Sequence, residues 1–163
     1  MANKTDFTVE EWKQIVTTPQ LASLYIALAS PSGPVGVVQE MMATTLSIVE
    51  AIQKEGDNAL VDAVAMDFKE KAEKREKADQ PTVTMDQAQM KAQCLQACRD
   101  LSLLLSQKAT ADAEAYKQWV YQIAKRSADA AKEGGLLGFG GEKVSPAEKT
   151  ALAEVATALS ITV

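Results

Sequence analysis

Histidine is absent from this chain of 163 residues, and aromatic residues make up only 5% of it. Histidine is the commonest general base at neutral pH and the commonest transition-metal ligand. Its absence excludes a Ser-His-Asp or Cys-His catalytic site and leaves a zinc site without its usual nitrogen ligands. The composition therefore favours a protein with no catalytic residues, no bound metal and no cofactor.

Cysteine is also scarce, and the chain contains only Cys94 and Cys98. Two thiolates are too few to complete a zinc site, and a disulfide between successive turns of one helix has unfavourable geometry. Both cysteines fall on the same predicted helical stripe as Leu101 and Leu105. We expect them to be core residues, because a free cysteine in such a position packs as a small hydrophobic side chain.

Long hydrophobic runs and basic patches are missing as well. The longest apolar run, residues 21–29, is shorter than the roughly 20 residues that span a bilayer, and residues 1–8 have no signal-peptide core. The net charge is −5, and the lysines and arginines are interleaved with acids. These features disfavour nucleic acid and anionic membrane surfaces as partners. We expect a cytoplasmic protein with no membrane span.

The residues that are abundant indicate helices. Hydrophobic residues make up 47% of the chain, supplied mainly by alanine, leucine, valine and methionine, and no alternating run has the pattern of a strand. The sequence predicts one all-α domain, residues 1–163, with six to seven helices, an approximate internal repeat and a flexible tip near 73–83. Capping residues, prolines and glycines place the helices at 8–18, 19–30, 35–54, 57–78, 84–107, 111–132 and 146–159.

Several polar and aromatic residues have structural interpretations in this scheme. Thr84 and Asp57 are predicted helix N-caps, and the pattern divides the first two helices at Pro19. Asp57, Asp62 and Asp67 share part of one helix surface, which we interpret as a solvated face, since no calcium-binding loop is present. Trp12 and Trp119 lie on apolar helical faces, and we expect both to anchor the core.

A glycine-rich loop at 134–141 is the most distinctive stretch of the chain. It carries Leu136, Leu137 and Phe139 and leads into a predicted helix that begins at Ser145. Its glycines match the spacing of a phosphate-binding loop, but Gly141 and Glu142 occupy the lysine and hydroxyl positions, which excludes nucleotide binding. The three apolar side chains either plug this chain's own core or form a docking surface. We favour the plug, because a large uncovered apolar loop promotes aggregation.

The stretch from Ala130 to Gly141, with Val144-Ser145 and Glu148-Lys149 after it, resembles an uncharacterised bacterial all-helical family of similar length. More remotely, Val-Ser followed by Glu-Lys resembles the helix start of TerB-like tellurite-resistance proteins. That resemblance implies an internally repeated helical fold in which acids near such helix starts bind metal. The Asp-Gly that precedes Val-Ser in that family is absent here. Only Glu142 and Glu148 remain as candidate ligands, and a capping role accounts for Glu148.

These observations favour a non-enzymatic module that acts by protein–protein contact, or a stress-accessory protein, with an unknown protein or a second copy of the chain as its partner. Surplus apolar surface at 35–52 and in the glycine loop supports this expectation. The first alternative is a TerB-like protein that binds a divalent metal. The second is an enzyme that uses carboxylates without histidine, which would require two carboxyl groups converging in a pocket with shifted pKa values.

Overall fold

The structure is a computed structural model that describes residues 2–29, 50, 58–84, 86–133 and 144–163. Every regular element in these ranges is helical, which confirms the all-α prediction for the described part of the chain. A short 3-10 turn at Lys4–Asp6 precedes the helices α1 (Val9–Ala29), α2 (Ala59–Glu73), α3 (Gln87–Lys108), α4 (Thr110–Glu133) and α5 (Pro146–Ala158). The predicted helix at 35–54 lies outside the described residues except for Glu50, which is helical.

The core lies where α1 packs along α3 and α4, with α5 packed against all three helices and α2 packed on α4. The predicted stripe of α3 is confirmed, since Met90, Cys94 and Leu105 are all fully buried. Trp12 is buried as expected, whereas Trp119 is only half-buried. Side chains from four helices meet in this core: Ile15, Ile26, Met90, Cys94, Leu101, Leu105, Tyr116, Val120, Val155 and Leu159.

The predicted helix boundary at Thr18–Pro19 is wrong, because α1 runs without interruption from Val9 to Ala29 with Pro19 inside it. Proline has no N–H to donate to the carbonyl four residues earlier, which here belongs to Ile15. The hydroxyl of Tyr116 on α4 donates to that Ile15 carbonyl at 2.9 Å. A tertiary hydrogen bond thus replaces the missing helical one, and the helix continues.

The turn of α1 before Pro19 receives side-chain donors at four consecutive carbonyls. Thr17 Oγ1 donates to the Lys13 carbonyl at 2.8 Å, and Thr18 Oγ1 donates to the Gln14 carbonyl at 2.7 Å. Gln20 Nε2 donates to the Val16 carbonyl at 3.1 Å, and Tyr116 supplies the donor for Ile15. Threonine and glutamine side chains therefore support the backbone where proline weakens the helical ladder.

Two predicted helix starts need correction. The N-cap of α2 is Asn58, whose Oδ1 accepts from the amides of Leu60 and Val61, and the proposed cap Asp57 lies outside the described residues. The N-cap of α3 is Asp86, which accepts from the Gln89 amide at 2.7 Å, and not Thr84. Thr84 instead accepts from the Asp86 amide, so a residue with a good capping side chain precedes the true cap.

Helices α2 and α5 end in the same motif, with a non-glycine residue in the left-handed region. Ser160 has φ 55°, its amide donates to the Thr157 carbonyl, and the Ile161 amide donates to the Ala156 carbonyl. Arg75 has φ 54° in the equivalent position after α2, which therefore ends at Glu73 and not at Ala78. This paired hydrogen-bond pattern usually places glycine at that position, since a Cβ atom is unfavourable there.

Replacing Ser160 with glycine is therefore expected to stabilise the protein by about 1 kcal/mol, because glycine adopts positive φ without steric cost. Urea titration followed by circular dichroism measures the change. Ser160→Ala retains the Cβ atom and serves as the control with no gain. A Ser160→Gly midpoint equal to that of the wild type would show that the left-handed conformation is not strained.

Candidate functional site

Of the candidate residues in and after the glycine loop, the structure describes only Glu148. Leu136, Leu137, Phe139 and Glu142 all lie outside the described residues, so their roles stay predictions. Glu148 is buried, and its Oε2 accepts from the Ser145 amide at 2.7 Å while the Glu148 amide donates to Ser145 Oγ at 3.2 Å. This reciprocal capping box confirms the predicted start of α5.

In the described part of the chain, no group of three or more histidine, cysteine, aspartate or glutamate side chains is placed to hold a metal ion. Cys94 and Cys98 are free and buried within the core. The hydrogen bond that the Cys94 thiol donates to Cys98, together with burial, raises the pKa of Cys94, so this thiol is protonated and unreactive at neutral pH.

The interpretation of Asp67 as part of a solvated face is wrong, because only 3% of its side chain is exposed. Lys4 Nζ lies 2.5 Å from Asp67 Oδ1, and Lys71 Nζ lies 2.9 Å from Oδ2. Trp12 Nε1 also donates to Oδ2, at 3.2 Å. Lys71 continues the network to Asp79 Oδ2 at 2.5 Å. We call these five residues the Asp67 cluster.

The electrostatics of the Asp67 cluster favour ionised groups. Burial alone would raise the pKa of Asp67, but the hydrogen bonds from Lys4, Lys71 and Trp12 outweigh it and lower that pKa. Burial alone would lower the pKa of Lys71, but its hydrogen bonds to Asp79 and Asp67 raise it. Asp67 and Lys71 are thus held in their charged forms at neutral pH and form the centre of a structural ion-pair network.

A second polar cluster joins α1, α3 and α5 around Glu154. The hydroxyl of Tyr25 donates to Glu154 Oε2 at 2.5 Å, and Lys91 Nζ lies 2.5 Å from Oε1. The hydrogen bonds from Lys91 and Tyr25 lower the pKa of Glu154. Burial and the hydrogen bond to Glu154 raise the pKa of Tyr25. Both carboxylate oxygens have partners in this chain, so the cluster fastens three helices together.

The shifted pKa values in the described part of the chain all lie farther from neutrality than the ordinary values of the same groups. The pKa values of Glu11, Asp67, Glu114 and Glu154 are lowered. Those of Tyr25, Tyr116, Cys94 and Lys71 are raised. A general acid or base works best with a pKa near the operating pH. Each of these shifts moves a group away from that range.

A shallow depression of about 290 Å³ lies between α3 and the C-terminal end of α5. We call it the α3–α5 depression; its lining residues are Arg99, Ser102, Leu103, Ser106, Ala158 and Ser160. Leu103 stands in it with 59% of its surface exposed. Ser102 Oγ donates to the Leu159 carbonyl at 3.1 Å, and Ser106 Oγ donates to the Leu103 carbonyl at 2.7 Å. Both hydroxyl oxygens keep lone pairs that can accept from a bound molecule.

Arg99 supplies the positive charge of the α3–α5 depression. Its Nη2 donates to Gln96 Oε1 at 3.3 Å, and within the described ranges it has no ion pair with a carboxylate. The same Gln96 donates through Nε2 to Asp100 at 2.8 Å. The guanidinium thus borders the exposed Leu103 with a neutral amide as its partner, and its other donors can bind an acceptor.

The sequence pattern did not single out this depression. Its α3 residues recur at positions i, i+3, i+4 and i+7 from Arg99, which is the spacing of one helical face. Three of the four are polar or charged, so the pattern has the appearance of a solvated face. Its second wall comes from the end of α5, more than 50 residues later in the chain, and local spacing carries no information about that approach.

Comparison of the chain with protein-family models, with curated proteins and with solved structures finds no significant match. The bacterial origin and the TerB-like arrangement implied by the resemblance therefore stay expectations. Among the helices that the structure describes, none is both long enough and apolar enough to cross a membrane.

Proposed function

We propose that this protein is a non-enzymatic helical module that binds a partner protein through the α3–α5 depression. The observation that carries the proposal is Leu103, a large apolar side chain that is 59% exposed within a concave, polar-rimmed surface. Exposed apolar residues that are surrounded by polar groups are typical of protein–protein contacts. A partner side chain that covers Leu103 would remove its apolar surface from water.

The lining of the depression also favours a particular partner chemistry. Arg99 has a neutral partner in Gln96, and guanidinium groups recognise carboxylates through paired hydrogen bonds. We therefore propose a partner segment that presents an apolar side chain to Leu103 and an aspartate or glutamate to Arg99. The net charge of −5 opposes association of the chain with itself, which favours a different protein over a second copy.

The titratable groups support a binding role over a catalytic one. The shifted carboxylates of Asp67 and Glu154 are each held by a lysine and by a second donor from another helix. A catalytic carboxylate would need a pKa raised toward neutrality and a place in a pocket. The α3–α5 depression contains no carboxylate among its lining residues, so it is suited to hold a ligand and not to transfer protons.

A displayed library of random peptides, selected against the immobilised full chain, tests this proposal. We expect the selected peptides to share an apolar residue next to an acidic residue. Their affinity is expected to fall about tenfold or more with Leu103→Ser and with Arg99→Gln, the loss typical of central interface residues. Val83→Ser, at another exposed apolar residue, is the matched control and should leave affinity unchanged.

Three results would contradict the proposal. The first is a selection that yields no shared apolar–acidic pattern. The second is an affinity for Leu103→Ser equal to that of the wild type. The third is a dimer in sedimentation that Leu103→Ser converts to a monomer, which would make a second copy of the chain the occupant. Unfolding curves of the variants are expected to match the wild type within about 0.5 kcal/mol, as is usual at exposed positions.

A further inference from the structure

Residues 2–8, which we call the N-terminal strap, are fastened to the helices by long-range contacts. The Ala2 amide donates to Asp112 Oδ2 on α4 at 2.7 Å, and Lys4 binds Asp67 on α2. The ring centroids of Phe7 and Trp12 lie 6.0 Å apart. Ala2 and Phe7 are buried although the rest of the strap is exposed. The strap thus covers apolar surface of the core and is held at both ends.

A second segment, residues 76–84, has no regular secondary structure and is held near the strap. Its Asp79 binds Lys71, and the Asp79 carbonyl accepts from Gln20 Nε2 on α1 at 3.0 Å. Farther along, the Thr82 carbonyl accepts from Gln93 Nε2 on α3 at 2.6 Å. The strap and this segment are far apart in sequence, but Lys4 and Asp79 belong to one ion-pair network through Asp67 and Lys71.

The Asp67 cluster balances two ammonium groups against two carboxylates, and that balance makes its members interdependent. Lys71 is shared between Asp67 and Asp79, at 2.9 Å and 2.5 Å. When Lys4 leaves, one ammonium remains between two carboxylates, and Asp67 is too buried for water to compensate its charge. Lys71 must then neutralise Asp67, and its attraction for Asp79 weakens. Release of the strap therefore removes the Lys4 ammonium group, on which the attachment of residues 76–84 depends.

We propose that the Asp67 cluster couples the N-terminal strap to residues 76–84, so that release of either segment promotes release of the other. Lys4 is the connection on the strap and Asp79 is the connection on the second segment. Lys71 and the indole N–H of Trp12 are the other groups that face Asp67. The coupling is reciprocal, as thermodynamic linkage requires of any two sites joined by one equilibrium. Opening of the strap exposes Phe7 and Trp12.

Two readouts on the full chain test the coupling, one for each segment. Trypsin cleavage after the exposed Lys77, followed by mass spectrometry, reports release of residues 76–84. The emission wavelength of Trp12, measured in a Trp119→Phe background so that Trp12 is the sole tryptophan, reports opening of the strap. The substitutions are Lys4→Met for the strap and Asp79→Asn for the second segment.

We expect Lys4→Met to increase cleavage after Lys77 about tenfold, the factor that corresponds to the loss of one charge-assisted hydrogen bond. Asp79→Asn should shift Trp12 emission to the red, although the polar partners of Asp79 in the described residues are Lys71 and Gln20 and not the strap. Lys4→Arg keeps the charge and should behave as the wild type. Lys91→Met breaks the separate ion pair with Glu154 and should change neither readout.

Unchanged cleavage after Lys77 in Lys4→Met would overturn the proposal, and so would unchanged Trp12 emission in Asp79→Asn. Lys4 and Asp79 side chains are 54% and 34% exposed, so neither substitution removes a core residue. Circular dichroism confirms that each variant is folded. If Lys4→Met does not fold, the Trp12 emission of Asp79→Asn alone tests the proposal, because it measures the same coupling from the other segment.

Discussion

Raising the pH from about 9 to about 12 is expected to unfold the protein steeply. The pKa values of Tyr25 and Tyr116 are raised from the ordinary 10.0, and that of Cys94 is raised from 9.0. Above these ordinary values the unfolded chain loses protons that the folded chain keeps, so the free energy of unfolding falls as pH rises. Each group contributes about 1.4 kcal/mol per pH unit above its ordinary pKa, so above about pH 10 the three together contribute about 4 kcal/mol per unit. Lys71, whose pKa is raised from 10.5, acts in the same direction.

The free energy of unfolding falls with rising pH because the pKa values of these groups are raised in the folded protein. A group whose folded pKa lies above its unfolded pKa stabilises the fold fully below the unfolded value and loses that contribution at higher pH. Below about pH 9 these groups are protonated in both states and the slope is absent. The chain has no histidine to titrate between about pH 5 and 8. The alkaline transition is therefore expected to follow a flat neutral region.

Urea titrations at a series of alkaline pH values measure this slope. Tyr25→Phe is the informative variant, because it removes one of the three protons and leaves Glu154 paired with Lys91. Its slope above pH 10 is expected to be smaller by about 1.4 kcal/mol per pH unit. A wild-type free energy of unfolding that stays constant up to about pH 11, or an unchanged slope in Tyr25→Phe, would refute the role of buried tyrosines.

Much of the fold could be predicted because the helical signals are local. The α3 stripe from Met90 to Leu105 repeats at the helical period, and the buried face follows from that spacing. Ser145, Pro146 and Glu148 supply three consistent signals for one helix start, and α5 begins where they place it. The predicted number of six to seven helices extends beyond the five that the described residues contain.

Pro19 illustrates why local signals fail elsewhere. The sequence correctly indicates a missing backbone donor at that position, and the usual consequence is a break. Whether the helix breaks depends on Tyr116, which lies 101 residues from the carbonyl that it serves. No pattern around Pro19 records that contact. The tertiary hydrogen bond decided the outcome, and the secondary-structure rule alone gave the wrong one.

Asp67 shows that one usable signal was missed. Leu60, Val64 and Asp67 are spaced at i, i+4 and i+7, so the carboxylate falls on the buried face of α2, and Lys71 follows four residues later. This spacing predicts a buried, paired carboxylate better than it predicts a solvated face. The partnership with Lys4, by contrast, spans 63 residues and has no signature in the sequence. The pairing of Asp67 with Lys71 can therefore be predicted from the sequence, whereas its pairing with Lys4 cannot.

Removing the Tyr116 hydroxyl is expected to destabilise the protein, and Pro19 determines by how much. Tyr116→Phe leaves the buried Ile15 carbonyl without a donor, at a cost of about 1–3 kcal/mol. Pro19→Ala introduces an N–H that can donate to the same carbonyl. In that background Tyr116→Phe should cost less by about 1–2 kcal/mol, a coupling typical of groups that share one partner. Tyr116→Ala removes a fully buried ring and should cost about 3–5 kcal/mol in the wild type.

The four proteins of this double-mutant cycle are compared by urea denaturation at neutral pH, with circular dichroism as the signal. Tyr25→Phe, combined with Pro19→Ala, is the matched control, because the Tyr25 hydroxyl donates to Glu154 and not to the α1 backbone. Its effect should add to that of Pro19→Ala within about 0.5 kcal/mol. An equal cost of Tyr116→Phe in both backgrounds would mean that the hydroxyl does not replace the proline's missing donor. The continuity of α1 through Pro19 would then need another cause, such as the threonine and glutamine donors of the preceding turn.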